Sequence, residues 1–144
     1  IKKRWGGKII IKGIMEPEDA RLAVDSGADA LIVSNHGGRQ LDGAPSAIAA
    51  LPAIVDAVGQ QIEVHMDSGI RSGQDVLKAW ALGARGTYIG RAFLWGLGAA
   101  GEDGVLRALH IIHKELDTTM AFCGHTQIAN VDTSILKPGT YPTA

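Results

Sequence analysis

The chain has 144 residues, 46% of them hydrophobic, which is enough for one ordinary hydrophobic core. Its 14 Lys and Arg residues nearly balance its 15 Asp and Glu residues, and the net charge of −1 offers neither a basic footprint for nucleic acid nor a polybasic membrane patch. The apolar runs are short, so we expect no transmembrane span and no signal peptide, and the single Cys123 favours a reducing compartment over a disulfide framework.

Strand and helix patterns alternate from the start of the chain. The first strand is predicted in "GKIIIKG", and the helix after it, "EPEDARLAVDSGA", has Pro17 in its first turn and Gly27 at its end. The second strand is predicted in "ADALIVSN". The next helix, "SAIAALPAIVDAVG", is expected to be capped by Ser46 and to be kinked or delayed by Pro52.

The alternation continues through the second half. We predict a third strand in "IEVHMDSG", a third helix in "SGQDVLKAWALGA" that ends at Gly83, and a fourth strand in "GTYIGR". A long last helix is predicted from about Asp103 to Phe122, and the tail after it is expected to contain short helical turns and then to be loose. Such alternation indicates an α/β fold with a parallel sheet and right-handed crossovers.

An internal repeat narrows the fold class. Residues 12–34 align without a gap on residues 68–90, and the matches fall at glycine, cap and helix-face positions. The matching pairs are Gly13 with Gly69, Ile14 with Ile70, Asp19 with Asp75, Ala23 with Ala79, and Gly27–Ala28 with Gly83–Ala84. A (β/α)8 TIM barrel is built from eight such units and needs about 250 residues. The four units here therefore predict half of a barrel.

Polar side chains follow each predicted strand. They are Lys12, Ser34 with Asn35 and His36, Asp67 with Ser68, and Gly90 with Arg91. In a barrel, the carboxyl ends of the strands lie on one face, and that face carries the active site. We therefore predict that His36 and Arg39, which share a glycine-rich loop, form one wall of an active site.

Two arginines indicate a phosphate site on the same face. Arg71 and Arg91 follow the third and fourth strands, each beside glycines whose amides can approach a phosphate closely. Barrels often bind phosphate after their seventh and eighth strands, and the planar guanidinium group binds phosphate bidentately. This placement fits a chain that forms the second half of a barrel.

Other motifs carry less weight. "GLGAAG" has the letters of a dinucleotide-binding loop, but no further strand follows its helix, so the corresponding fold is not expected. His110 and His113, with Cys123 and His125 nearby, lack a carboxylate that would complete a metal site, and we expect no metal. We expect His65, inside a strand, to be a hydrogen-bonded core residue.

The segments "KGI", "SNHGGRQLDG", "DSGIRSGQD" and "GRAFLWGLGAAGEDGV" together resemble the C-terminal half of the FMN-dependent 2-hydroxy acid dehydrogenase and oxidase family. The resemblance runs from about Lys8 to Leu136 and is strongest to the bacterial L-lactate dehydrogenases. It implies FMN as cofactor and oxidation of an L-2-hydroxy acid, with L-lactate as the first expected substrate. It also implies that residues 1–144 are the C-terminal half of one barrel domain, whose N-terminal half lies outside this chain.

The resemblance also implies roles for individual residues. Lys12 would hold the pyrimidine edge of the flavin, and Ser34 would contact the flavin as well. His36 would be the base at the substrate carbinol, and Arg39 would bind the substrate carboxylate. The residues expected to hold the ribityl chain and the phosphate are Asp67, Gly69, Arg71, Gly90 and Arg91.

Partners and alternatives follow from the same resemblance. The missing half would supply tyrosines at the substrate, further flavin contacts and the aspartate that orients the histidine, so we expect this chain alone to be inactive. The intact enzyme is expected to be a tetramer-type homo-oligomer that passes electrons to a quinone, a cytochrome or oxygen. Its expected location is the cytoplasm, with peripheral attachment to the inner face of the cytoplasmic membrane as an alternative.

Three other functions stay open. One is a 2-hydroxy acid oxidase or mandelate-type dehydrogenase of the same family. Another is a phosphate-binding half-barrel with no activity of its own. The third, a different flavin barrel such as an isomerase or an IMP-dehydrogenase-like protein, would share the phosphate loops but lack "NHGGRQ".

Overall fold

A computed structural model describes residues 1–141 of the chain. The helices and strands, in chain order, are α1 (Lys2–Trp5), β1 (Ile10–Ile14), α2 (Pro17–Asp25), β2 (Ala30–Val33), α3 (Ala47–Val58), β3 (Glu63–Met66), α4 (Gly73–Ala81), β4 (Gly86–Thr87) and α5 (Arg91–Phe122). Short 3₁₀ turns lie at His36–Gly38, Ile128–Asn130 and Thr133–Ile135. Among the described helices, none is both long enough and apolar enough to cross a membrane.

The four strands form one parallel sheet in the order β1-β2-β3-β4. Each strand pairs with the next one in the chain, and a helix connects each pair. A doubly wound sheet would reverse its strand order at a switch point, whereas successive neighbours in one direction are the arrangement of a barrel. The predicted α/β class and the predicted half of a (β/α)8 barrel are confirmed.

One face of the sheet packs against α2, α3 and α4. Residues at alternate strand positions point to this face and form the core with apolar helix residues. The largest fully buried side chains are Leu31, Val33, Leu51, Ile54, Val58, Val64, Met66 and Leu77. The opposite face is more open, because the side chains of Ile10, Glu63 and Tyr88 are exposed there.

The internal repeat has a structural counterpart in the two helix-to-strand connections. Gly27 and Gly83 both have positive φ, at 81° and 104°. Their amides donate to the carbonyl oxygens of Val24 and Trp80 at 2.8 and 2.9 Å. The left-handed conformation that ends each helix requires glycine, which explains why this position matches between the two copies.

The last helix differs from its prediction. It begins at Arg91 rather than near Asp103, and it consists of two limbs separated by non-helical backbone at Ala100 and Gly101. The predicted helix corresponds to the second limb alone. Glycines in "GLGAAG" weakened the helical signal of the first limb, since glycine has low helix propensity.

These glycines allow close packing between the two limbs. A Cβ atom on Gly96 would lie 2.3 Å from the carbonyl oxygen of Gly104, so the two backbones are in direct contact there. The motif thus serves helix packing, and within residues 1–141 no strand follows its helix.

Three smaller predictions need correction. Ser46 precedes α3 but makes no side-chain cap hydrogen bond, and α3 passes through Pro52 without delay. The fourth strand is shorter than "GTYIGR", since only Gly86–Thr87 pairs as a strand, although the Tyr88 amide still donates to the Met66 carbonyl at 3.0 Å. The predicted helical turns of the tail are present as 3₁₀ turns, and the predicted loose end at residues 142–144 lies outside the described residues.

The segment before β1 is anchored by Asp29. Its carboxylate accepts from the Ile9 amide and from the ammonium groups of Lys2 and Lys8, each at 2.9 Å. These hydrogen bonds, that of the Ile9 amide foremost, hold the pKa of Asp29 well below its ordinary value. The contacts fix the short helix α1, which the sequence pattern did not indicate.

Candidate active site

A cavity of about 370 Å³ lies at the carboxyl end of the sheet. Lys12 in β1 and residues that follow β2, β3 and β4 line it, as expected for the active-site face of a barrel. Eight of the nine predicted site residues are among them: Lys12, His36, Arg39, Asp67, Gly69, Arg71, Gly90 and Arg91. The ninth, Ser34, is buried behind the lining, and its hydroxyl group accepts a hydrogen bond from the Lys12 ammonium at 3.0 Å.

Lys12 enters the cavity at an irregular point of β1. The pairing register with β2 shifts between Lys12 and Ile14, and Gly13 between them has a φ of +98°. The Lys12 ammonium lies 2.9 Å from a carboxylate oxygen of Asp67. The bulge therefore aims the lysine at the loop that follows β3.

Asp67 stays ionised beside this lysine. Partial burial opposes its ionisation, but hydrogen bonds from Ser34, Lys12 and Ser68, with the positive charge of Lys12, outweigh that effect. The pKa of Asp67 is consequently held below its ordinary value of 3.8. The cavity thus contains one fixed ion pair.

The loop that carries His36 is held in an unusual conformation. His36, Gly37 and Gly38 have successive positive φ values of 56°, 70° and 74°. The Asn35 side chain accepts from the Gly37 amide and donates to the Pro45 carbonyl, both at 3.0 Å. These bonds fold the glycine-rich segment back over the cavity and present the imidazole there.

Two serines join this loop to the ion pair. The Ser34 hydroxyl accepts from the Lys12 ammonium and from the His36 amide, at 3.0 and 3.2 Å. The Ser68 hydroxyl accepts from the Gly37 amide at 3.0 Å. The sequence places Ser68 at a strand end but indicates no role for it, because its partner Gly37 is 31 residues away in the chain.

Three arginines surround the opening of the cavity. Arg39, Arg71 and Arg91 are all exposed, and within residues 1–141 none of their guanidinium groups forms an ion pair with a carboxylate. Arg71 and Arg91 also line a second cavity of about 470 Å³ beside α5. Three cations without internal counterions make this rim suitable for anionic ligands.

Two helices begin at the cavity, and they differ in their free amides. At the start of α4, the amides of residues 71 and 72 donate to Asp75, and that of Gly73 donates to Glu115 at 2.9 Å. At the start of α5, Gly90 offers no side-chain cap, and the first turn has no acidic residue. The start of α5 is therefore the place where backbone amides can bind an anion.

His65 lies on the open face of the sheet. Its Nδ1 atom is 2.9 Å from the Tyr88 hydroxyl, and its Nε2 atom is 3.1 Å from a carboxylate oxygen of Glu63. The predicted hydrogen bonding is confirmed, but the ring is outside the buried core. Tyr88 lines the same cavity as the predicted site residues, and no motif in the sequence indicates it.

The remaining histidines do not form a metal site in the described part of the chain. His110 and His113 are both exposed on α5. Among residues 1–141, no group of three or more His, Cys, Asp or Glu side chains is placed to hold a metal ion.

Comparison with known proteins assigns the class. Residues 1–138 match the family model described as FMN-dependent dehydrogenase, and the chain belongs to this family. The expected cofactor, FMN, is that of the family.

Individual relatives are similar over most of the chain. The chain is 52% identical over 136 residues to the L-lactate dehydrogenase of Caulobacter vibrioides (strain NA1000 / CB15N), covering 94% of this chain and 36% of that protein. It is 49% identical over 139 residues to the pre-mycofactocin synthase of Mycobacterium tuberculosis (strain CDC 1551 / Oshkosh), covering 96% and 35%. A crystal structure of mandelate oxidase with benzoyl-formic acid superposes with a TM-score of 0.82 at 50% identity, covering 85% and 36%. The chain thus spans little more than a third of the length of the relatives it matches.

Proposed function

We propose that this chain is the C-terminal half of an FMN-dependent enzyme that oxidises an L-2-hydroxy acid, L-lactate first, to the 2-keto acid. The observation that carries the proposal is the convergence of Lys12, His36 and Arg39 on one cavity with an arginine rim. A cation for the flavin, a base and a carboxylate-binding fork are the three groups that this reaction requires.

The residues at the cavity fit FMN. The side chains of Arg71 and Arg91 and the free amides at the start of α5 suit the phosphate. Lys12 offers a positive charge for the flavin ring, and Ser34 accepts a hydrogen bond from it. Asp67, Gly69 and Gly90 also line the cavity and suit the ribityl chain. When bound there, FMN would supply the two-electron acceptor of the reaction.

The substrate would be held by its carboxylate and deprotonated at its hydroxyl group. Arg39 presents a permanently charged fork that binds a carboxylate through two parallel hydrogen bonds. Three residues earlier in the same loop, the His36 imidazole can accept a proton from the carbinol. With FMN bound, Lys12 would offer a positive charge that stabilises negative charge on the cofactor.

A second half of the barrel would complete this site. β1 and β4 each have one unpaired edge in the four-stranded sheet, and the open face exposes Ile10 and Tyr88. A preceding half-barrel would pair with both edges and cover that face. It would also supply the carboxylate that orients His36, which no described residue approaches as a hydrogen-bond partner of the ring.

The wider assignments are part of the same proposal. The electron acceptor would be a quinone, a cytochrome or oxygen, and the completed enzyme would form a homo-oligomer. The proposed location is the cytoplasm, with peripheral attachment to the inner face of the cytoplasmic membrane as the alternative.

A mandelate-type substrate is the second candidate. The similarity to mandelate oxidase, at 50% identity, is comparable to that with the lactate dehydrogenases. The chain offers the same carboxylate and carbinol contacts to either acid, and the part of the site that would contact the substrate side chain lies in the proposed upstream half.

The test uses the barrel completed by its upstream half. The purified protein should be yellow, and L-lactate should bleach the flavin under anaerobic conditions without added nicotinamide. Bleaching by mandelate alone would establish the second candidate. A protein that binds FMN but is bleached by no 2-hydroxy acid would overturn the proposal and favour a phosphate-binding module.

A further inference from the structure

Ser68 has a backbone conformation that its residue type disfavours. Its φ is +66°, and His36 is the only other non-glycine residue with positive φ in the described part of the chain. Glycine would adopt this conformation without the steric conflict of a Cβ atom. A strained residue persists only where the surrounding structure holds it, and such residues cluster at functional sites.

The Ser68 hydroxyl both donates and accepts. It donates to Asp67 Oδ1 at 2.7 Å, because an ionised carboxylate can only accept. It accepts from the Gly37 amide at 3.0 Å, and it shares that hydrogen with the Asn35 side chain. The Ser34 hydroxyl lies 3.3 Å from it and adds a contact on the third side.

The result is a continuous connection between the two ends of the site. On one side of Ser68, Asp67 binds the Lys12 ammonium at 2.9 Å. On the other side, the Gly37 amide directly follows His36 in the loop. No strand or long helix fixes this loop, so its position depends on side-chain contacts of this kind.

We propose that Ser68 is a positioning residue that holds the His36 loop at a fixed distance from Lys12. The inference rests on the proposed function in that His36 acts as the base. Ser68 itself touches neither reacting atom in this role, and it acts through the Gly37 amide and the Asp67 carboxylate. The hydroxyl group is the reason that serine, rather than glycine, occupies a left-handed position.

Two substitutions in the completed holoenzyme separate the hydroxyl group from the strain. Ser68→Gly removes both, and Ser68→Ala removes the hydroxyl group alone. We expect kcat to fall by about 10- to 100-fold in both variants, since a small displacement of a catalytic group has effects of this size. The thermal midpoint should be unchanged or higher in Ser68→Gly and lower in Ser68→Ala. Ser26→Gly, at an exposed position with a φ of −74°, is the matched control and should retain full kcat.

A second readout does not depend on turnover. In the FMN-free protein, hydrogen exchange at the Gly37 amide should become faster in Ser68→Gly, while exchange in β2 stays the same. Unchanged exchange at Gly37, or a wild-type kcat in both Ser68 variants, would overturn the positioning role. If the wild-type enzyme oxidises no hydroxy acid, the proposed function fails, and the exchange experiment still decides whether Ser68 positions the loop.

Discussion

The imidazole of His36 occupies the space that a side chain on Gly13 would need. A Cβ atom on Gly13 would lie 2.8 Å from His36 Nε2, closer than non-bonded atoms approach each other. The bulge in β1 that directs Lys12 into the cavity thus also provides the surface on which the proposed base rests.

Gly13→Ala should therefore displace His36. We expect the completed enzyme to retain FMN but to lose kcat by about 100-fold, because the added methyl group moves the ring away from the substrate. Flavin retention and kcat are the measurements. Gly124→Ala is the control, since Gly124 has a similar φ of +76° and no neighbour within 4 Å, and it should lower stability by about 1 kcal/mol without affecting kcat. Equal kcat in Gly13→Ala and Gly124→Ala would contradict the displacement of His36 by a side chain at position 13.

Asp67→Asn should destabilise the protein in a pH-dependent way. The pKa of Asp67 is lower in the folded protein than its ordinary value of 3.8, so the ionised form contributes stability above that pH. This contribution is lost as the pH falls through the lowered folded-state pKa. The half-exposed ion pair with Lys12 sets its size at about 1 kcal/mol.

The measurement is the thermal midpoint of wild type and Asp67→Asn from about pH 6 to about pH 2. The difference between the two proteins should shrink below pH 3.8, because the carboxyl group of the unfolded chain takes up protons there while that of the folded wild type is still ionised. Asp117→Asn, at an exposed position on α5, should show no such difference. A difference in thermal midpoint that grew as the pH fell would contradict a lowered pKa of Asp67 in the folded protein.

Arg39→Met should raise the KM for the hydroxy acid and lower kcat. The loss of a bidentate charge pair to the substrate carboxylate costs about 2–5 kcal/mol in transition-state binding. Arg39→Lys should fall between wild type and Arg39→Met, because lysine keeps the charge but not the fork. Arg107→Met, at an exposed position outside the cavity lining, serves as the control. Identical KM and kcat for Arg39→Lys and Arg39→Met would refute bidentate binding of the substrate carboxylate by Arg39.

His65 should have its proton on Nε2 when the ring is neutral. A carboxylate cannot donate, so Glu63 requires an Nε2–H group, and Nδ1 must then accept from the Tyr88 hydroxyl. Nitrogen chemical shifts in the completed protein report the tautomer directly. In Glu63→Gln this preference should weaken, since a glutamine side chain can also donate. A neutral wild-type ring protonated on Nδ1 would show that the contact with Tyr88, and not that with Glu63, determines the tautomer of His65.

The 144-residue chain alone should bind FMN weakly, self-associate and reduce no dye with L-lactate. Its sheet has two unpaired edges and an open face with the exposed side chains of Ile10 and Tyr88. Adding the upstream half as a separate chain should restore yellow colour and activity together. Flavin retention and dye reduction, measured on each half and on the mixture, are the readouts. Full turnover by the chain alone would disprove a shared site.

The elements that the sequence predicted well are those whose cause is local. The left-handed ends at Gly27 and Gly83 and the apolar strands depend on neighbours in the chain, so residue pattern was sufficient. The sequence pattern did not predict the first limb of α5, because a glycine such as Gly96 lowers helix propensity. The reason for that glycine is its close contact with Gly104 in the second limb, which the local pattern does not show. The resemblance supplied the predicted site residues, but the contacts of Ser68 depend on a partner 31 residues away, which spacing cannot reveal.

The amide of Gly73 has its hydrogen-bond partner 42 residues further along, in Glu115. The two segments are in close contact, since a Cβ atom on Gly73 would lie 1.9 Å from the Leu116 nitrogen. A chain emerging from the ribosome as far as α4 already contains Arg71, but the carboxylate that closes the start of that helix has not yet been synthesised. Since domains fold as synthesis proceeds, the Gly73 amide at the start of α4 gains its hydrogen-bond partner only after Glu115 in α5 has emerged.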